Sequence, residues 1–200
     1  MLRLLFIIIS IPLGKTRRKA MRVITGSARG TQLKTPEGMT TRPTTDRVKE
    51  AMFSIIHFDI PGAAVLDLFG GSGQLGIEAL SRGAKSAVFV DAGEPACRLI
   101  RENLKKTKLE QQAKVVRSDY LDYLKRSREQ FDIILLDPPY AEVFLENALK
   151  QITEIDILRQ GGIIVTERPL GKELPWEFSG YERSKDYKYG NTLLTIYRKA

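Results

Sequence analysis

The sequence predicts an α/β fold: a seven-stranded, mostly parallel sheet with helices on both faces, closed by a C-terminal antiparallel hairpin and preceded by a basic N-terminal arm. Three observations carry this. From residue 64 to residue 167, short apolar runs alternate with amphipathic helical segments, which calls for a parallel sheet covered on both sides. A glycine-rich turn, Gly70-Gly71-Ser72-Gly73, lies between the first such run and the helix that follows it. The last twenty residues read as two strands joined at Gly190-Asn191.

The chain has 200 residues, 42% of them apolar and 28% charged. That is enough for one sizeable core, and it excludes a disordered, collagenous or disulfide-scaffolded chain. The formal net charge is +8, but residues 1–20 hold five cations and no acid, so the chain from Met21 onward carries only +3. Residues 4–13 are apolar yet too short for a membrane span of roughly 20 residues. Only Arg3 precedes them, a basic cluster from Lys15 to Lys19 follows them, and no small-x-small cleavage site is present. Residues 1–20 are therefore expected to be an extended start or a disordered tail, and the rest a cytoplasmic protein. The single cysteine, Cys97, offers no internal disulfide and no thiol cluster.

Residues 22–43 are polar and rich in Gly, Thr and Arg, so they read as an extended arm with a short hairpin. Its basic surplus suits a phosphate backbone, or equally a solvated loop. Val48, Ala51, Met52, Ile55 and Ile56 recur at helical spacing, with Thr44 or Thr45 as cap. The alternation then runs strand Ala64–Phe69, helix Gln74–Arg82, strand Ser86–Asp91, helix Glu94–Lys106, strand Ala113–Asp119, helix Tyr120–Arg126, strand Phe131–Asp137, helix Glu142–Ile155, strand Gly162–Glu167. Strands Tyr181–Tyr189 and Thr192–Arg198 close it.

Gly71, Gly73 and Gly76 match G-x-G-x-x-G, a pattern shared by several nucleotide-binding folds. Asp67 before it separates the options, because a pyrophosphate gains nothing from a nearby carboxylate whereas a cationic amino group is attracted to it. Asp91 ends the second strand, where a carboxylate can accept ribose hydroxyls. Asp119 ends the third, placed for a purine edge; each of these acids also reads as a strand-end or helix-cap residue.

Asp137-Pro138-Pro139-Tyr140 closes the fourth strand on the same sheet edge. Each proline removes a backbone donor and holds the residue before it extended, leaving a rigid group of acceptors for a substrate amine. The amine of a nucleobase is a poor nucleophile because its lone pair is delocalised, and fixed acceptors on its protons redirect that pair. Tyr140 can stack on the base. Cys97 falls inside a helix, where it reads as a small buried hydrophobe. His57 has no second histidine to share a metal.

Asp67 with the glycine turn, Asp91, Asp119 and the closing hairpin resemble the Rossmann-like class I S-adenosylmethionine-dependent methyltransferases. Asp137 to Tyr140 resembles the signature of amino-methylases. Arg22-Val23-Ile24-Thr25-Gly26-Ser27-Ala28-Arg29-Gly30, the stretch Arg42 to Phe53, Asp67 to Gly73, Glu78 to Ala84 and Tyr187 to Gly190 together resemble the bacterial small-subunit ribosomal RNA methyltransferase D family. The resemblance covers nearly all of residues 22–198. It implies that Asp67, Phe69 and Gly70, Gly71, Ser72 and Gly73 hold the methionine part of S-adenosyl-L-methionine, Asp91 its ribose, and Asp119 with Tyr120 its adenine. It further implies methyl transfer to the N2 amine of one guanine in 16S ribosomal RNA, on the small ribosomal subunit, by a monomer without metal. Asp137, Pro138, Pro139 and Tyr140 would be catalytic, and Arg22, Arg29, Arg42 and Arg47 would hold RNA. The implied organisation is a leader (1–20), an arm and helix packed on the catalytic domain (21–60), and that domain (61–200). Gly71 stands where the family more often has alanine, and residues 1–20 have no counterpart. An amino-methylase acting on DNA adenine, a non-catalytic RNA-binding assembly factor and a nicotinamide-dependent oxidoreductase are the rival readings, the last disfavoured by Asp67 and the Pro-Pro turn.

Overall fold

The computed structural model describes residues 21–36, 44–138, 142–171, 174, 177–178 and 180–199. Helix α1 (Thr44–Ile55) turns Val48, Met52 and Phe53 inward, and Ile56 just beyond it joins them, each at most 1% exposed. Burying side chains of this size contributes about 1.5–3 kcal/mol apiece. There follow β1 (Ala64–Asp67), α2 (Gln74–Ser81), β2 (Ser86–Asp91), α3 (Glu94–Thr107), a 3-10 turn (Glu110–Gln112), β3 (Ala113–Arg117), α4 (Tyr120–Arg126), β4 (Phe131–Leu136), α5 (Glu142–Ile155) and β5 (Leu158–Pro169). The chain closes with β6 (Glu177–Phe178), β7 (Tyr181–Tyr189) and β8 (Thr192–Lys199).

The strands form one sheet in the order β3-β2-β1-β4-β5-β8-β7-β6. Strands β1 to β5 are mutually parallel, and β8 runs antiparallel to both β5 and β7. All seven expected strands are present, and the two-residue β6 adds an eighth at the edge beyond β7. Because side chains alternate across a strand, Val65, Ile133, Leu135, Ile163 and Val165 pack under α1, α2 and α3, whereas Leu66, Ile134, Leu136 and Ile164 pack under α4 and α5. Both faces are dry, as a parallel sheet requires.

Several strand ends depart from the sequence reading, by one residue at the ends of β4 and β8 and by two at the end of β5. Strand β1 stops at Asp67, since Leu68 still bonds to Leu135 but Gly70 already turns to donate to the Val90 carbonyl. Strand β3 stops at Arg117 because Asp119 turns to cap α4. Strand β5 starts at Leu158 rather than Gly162: a bulge opposite Phe131 and Ile133, with Gly161 at φ +72, absorbs the polar residues between. The hairpin is anchored by Asp186, whose Oδ2 accepts from the guanidiniums of Arg168 and Arg183 at 2.8 Å each, while its Oδ1 accepts from Thr195 at 2.7 Å.

Residues 21–36 are folded back onto the domain. Of the expected arm with a short hairpin, these residues form the hairpin, with Arg22 bridging Gln32 and Leu33 donating to the Met21 carbonyl. The reason is apolar and polar at once. Val23, Ala28 and Leu33 are buried, and the fully buried Glu78 of α2 accepts the amides of Ile24 and Thr25 at 2.8 and 3.0 Å while Arg82 bonds it from one turn on. Ser81 completes the seat, its Oγ accepting from Ala28 and donating to the Thr25 carbonyl.

The sheet order reverses between β1 and β4, so a crevice opens at the carboxyl ends of these strands. Helix α2 sits against β2 with no room to spare, since a Cβ added at Gly76 would lie 2.2 Å from the Phe89 ring. Gly76→Ala is expected to lower stability by about 1–3 kcal/mol through overpacking, read as a lower midpoint in urea; an unchanged midpoint would show that α2 can retreat.

Candidate active site at the carboxyl edge of the sheet

Four acids meet along this edge: Asp67 ends β1, Asp91 ends β2, Asp119 follows β3 and Asp137 follows β4. Asp67 is 1% exposed, and its Oδ2 accepts the Gly76 amide at 3.0 Å, which ties β1 to the first turn of α2. Burial pushes its carboxyl up to about 7, and the charges of Asp137 and Asp91 push the same way. Asp137 is half-buried, and desolvation raises it to about 6. Among the described residues none forms an ion pair with Asp67, Asp91 or Asp137. Carboxylates held together without a counter-cation make a well for positive charge, and a cation placed there restores their ionised forms.

The turn between β1 and α2 is held by its own backbone: Gly70 donates to Val90 at 2.8 Å and Gly73 to Gly70 at 2.6 Å. Gly71 and Gly73 have φ of +53 and +79, the left-handed region that glycine adopts without strain. A Cβ at Gly71 would meet nothing nearer than 3.9 Å, so this face of the turn is open to a ligand. Asp91 braces it, accepting the Gly71 amide on Oδ2 at 2.9 Å and the Gly93 amide on Oδ1 at 2.8 Å. Each of its oxygens keeps a further lone pair for ligand hydroxyls. Ser72 is buried and turned away, its Oγ donating to the Met21 thioether at 3.4 Å.

Asp119 is exposed and caps α4, its Oδ1 accepting the Leu121 amide at 2.8 Å. Tyr120 is 8% exposed; its ring lies 5.1 Å from Phe69 and 5.5 Å from Phe144, so these three make one aromatic wall. Phe144 was not singled out in the sequence; its only signal was an aromatic one turn past Tyr140 at the start of a helix.

Arg22, Arg29 and Arg47 are exposed. Arg22 and Arg29 lie on the docked hairpin and Arg47 on α1. Pro138 is half-buried beside Asp137, whereas Pro139, Tyr140, Arg42 and residues 1–20 lie outside the described residues. Cys97 is buried, with its thiol against the Asp91 carbonyl. His57 contacts Phe58 edge-on at 4.9 Å.

A raised carboxyl has a stability consequence. In the folded chain Asp67 keeps its proton up to about pH 7, whereas unfolded it loses it near pH 4. The folded form thus binds more protons across that interval, and stability falls as pH rises through it. Asp67→Asn is expected to flatten this fall and to stabilise the unliganded chain by about 1–3 kcal/mol at pH 8. Thermal melts at pH 5 and pH 8 check this; a variant no more stable than the wild type at pH 8 would show that Asp67 is not desolvated.

A family model described as conserved hypothetical protein 95 matches residues 21–198. The Bacillus subtilis protein YlbH, provisionally named an rRNA methyltransferase, is 42% identical over 90% of this chain and 99% of its own. Ribosomal RNA small subunit methyltransferase D of Haemophilus influenzae is 36% identical over 77% of this chain and 81% of its own. Among solved structures, the Escherichia coli protein yhhF, provisionally named a methyltransferase, superposes with a TM-score of 0.79 at 29% identity, covering 90% of this chain and 98% of that one. With the glycine turn, the acid-lined edge and the reversed strand β8 in place, this chain belongs to the ribosomal RNA small subunit methyltransferase D family.

Proposed function

We propose that this chain transfers a methyl group from S-adenosyl-L-methionine to the exocyclic N2 amine of a guanine in the RNA of the small ribosomal subunit. The observation that carries this reading is the pair Asp67 and Asp137, two desolvated carboxylates at adjacent strand ends whose charges act on each other. Asp67 would suit a cationic ligand on the glycine-turn side, and Asp137 would serve the substrate amine. The relatives' names support ribosomal RNA as the substrate class.

Asp67 would hold the ammonium of the donor's methionine part, with Phe69 and the turn from Gly70 through Gly71 and Ser72 to Gly73 enclosing it. Asp91 would accept the ribose hydroxyls, and Asp119 with Tyr120 would border the adenine. When bound, the donor supplies an electrophilic methyl on a sulfonium. Asp137, ionised above about pH 6, would accept a hydrogen bond from one N–H of the guanine amine and the Pro138 carbonyl one from the other, directing the nitrogen lone pair at the methyl. With a basicity above that of an exposed aspartate, Asp137 would also take the proton released as the bond forms. Pro139 would keep this acceptor group extended, and Tyr140 would stack on the extruded base. Arg22, Arg29, Arg42 and Arg47 would contact the RNA backbone, which positions the substrate without reading its sequence.

Incubating the protein with labelled S-adenosyl-L-methionine and small subunits lacking guanine-N2 methylation should yield N2-methylguanosine by nucleoside mass spectrometry. Label in DNA adenine instead would replace this reading. Asp137→Ala is expected to cut turnover by about 100-fold or more while leaving S-adenosylhomocysteine affinity nearly unchanged; a near-normal rate would remove Asp137 from the mechanism. In the wild type, kcat/KM should rise with pH through 6 to 7 as Asp137 and Asp67 ionise, and a flat profile would contradict their roles. Arg22→Ala and Arg29→Ala should each lower the salt slope of RNA binding by about one, and an unchanged slope would assign the hairpin another task.

A further inference from the structure

Asn103 lies in α3, fully buried, between the N-terminal hairpin and the glycine turn. Its Oδ1 accepts the Lys34 amide at 2.8 Å, and its Nδ2 donates to the Lys34 carbonyl at 3.0 Å and to the Ser72 carbonyl at 2.9 Å. An amide donor on one side and two carbonyls on the other leave one orientation for this side chain, and only a carboxamide offers that set in one plane. A second link runs beside it. Ser72 Oγ donates to Met21 Sδ, and Met21 is joined to Leu33 by the Leu33 amide. The open end of the hairpin, Met21 and Lys34, therefore converges on a single residue of the turn.

The hairpin can transmit what happens to it. Its closed end is fixed on Glu78 and Ser81 and its apolar side is buried. Its outer side carries Arg22, Arg29, Gln32 and Lys34, all exposed. The turn rests on Ile100 beneath Gly70 and Gly73, and its backbone is tied to Val90, Asp91 and Asn103.

We propose that Asn103 is a positioning residue through which docking of RNA on the 21–36 hairpin and docking of the cofactor on the Gly70–Gly73 turn reinforce each other. The proposal rests on the functional reading above and adds to it a coupling between the two substrates. Coupling of this kind is reciprocal: whatever factor RNA adds to cofactor affinity, the cofactor adds to RNA affinity.

The test uses the full chain, S-adenosylhomocysteine, and small ribosomal subunits lacking guanine-N2 methylation. Calorimetric titration of S-adenosylhomocysteine with and without saturating subunits gives the coupling factor, expected to be about 5-fold or more in the wild type. In Asn103→Ala the factor should collapse to about one while each ligand alone still binds. A purely structural role would lower the melting temperature and leave the factor intact, and that result overturns the proposal. Should Asn103→Ala fail to fold, the double variant Met21→Ala with Lys34→Pro removes, from the hairpin side, the thioether that Ser72 bonds and the amide that Asn103 accepts, and a wild-type factor in it would overturn the proposal equally. A wild-type factor of one, with both ligands binding, overturns the coupling alone. Failure of either ligand to bind the wild type overturns the functional reading and this proposal with it.

Discussion

The hydrogen bond from the Gly76 amide to the buried Asp67 carboxylate joins the end of the first strand to the first turn of the following helix. A carboxylate in that position stabilises helix α2, because the amides of a helix N-terminus are unsatisfied and carry partial positive charge. One amide does not offset the loss of water around the group, so its proton affinity stays high. The same bond thus fixes the glycine turn and leaves a carboxylate that a cation would relieve. Phe89 pressed against Gly76 and Ile100 against Gly70 hold that geometry from beneath.

The rest of the edge is arranged around this constraint. Asp91 spends one lone pair of each oxygen on bracing the loop amides, so it is a structural brace with capacity left over. Asp119 turns its backbone out of β3 to cap α4, which puts Tyr120 into the aromatic wall with Phe69 and Phe144. The parallel pairing of β1 with β4 sets Asp67 against Leu135, so Asp137, two residues on, lies just past the same edge. Acidity at this edge is therefore a product of strand order, since no two of these acids are close in sequence.

Opposite the acids, the hairpin at residues 21–36 is seated by buried polar groups that are fully matched. Glu78 accepts two amides and an arginine, and Ser81 and Asn103 each bond the hairpin backbone. Such groups would be costly if unpaired, so the hairpin has one seat. Its basic residues face outward from a fixed frame, which differs from a flexible arm that must be ordered on binding.

Much of this molecule was legible in its sequence. Helical segments alternating with short apolar runs located α1 to α5 and the parallel strands, because a strand buried on both faces is apolar throughout and a helix on one stripe only. Gly190-Asn191 marked the turn between β7 and β8, and the glycine run after Asp67 marked the turn from β1 into α2. Tertiary structure alone decided the rest. Residues 22–36 are polar and rich in turn formers, so nothing local distinguishes a docked hairpin from a loose arm; Glu78, some fifty residues away, makes the difference. Asn103 and Phe144 carry no local signal, since their partners lie on other elements. The sequence by itself determined the five helices and seven of the strands, and which acids lie at or just past the strand ends. Only the packed sheet decided which acids share a crevice and how far water is excluded from them, because desolvation depends on every neighbour in space and not on neighbours along the chain.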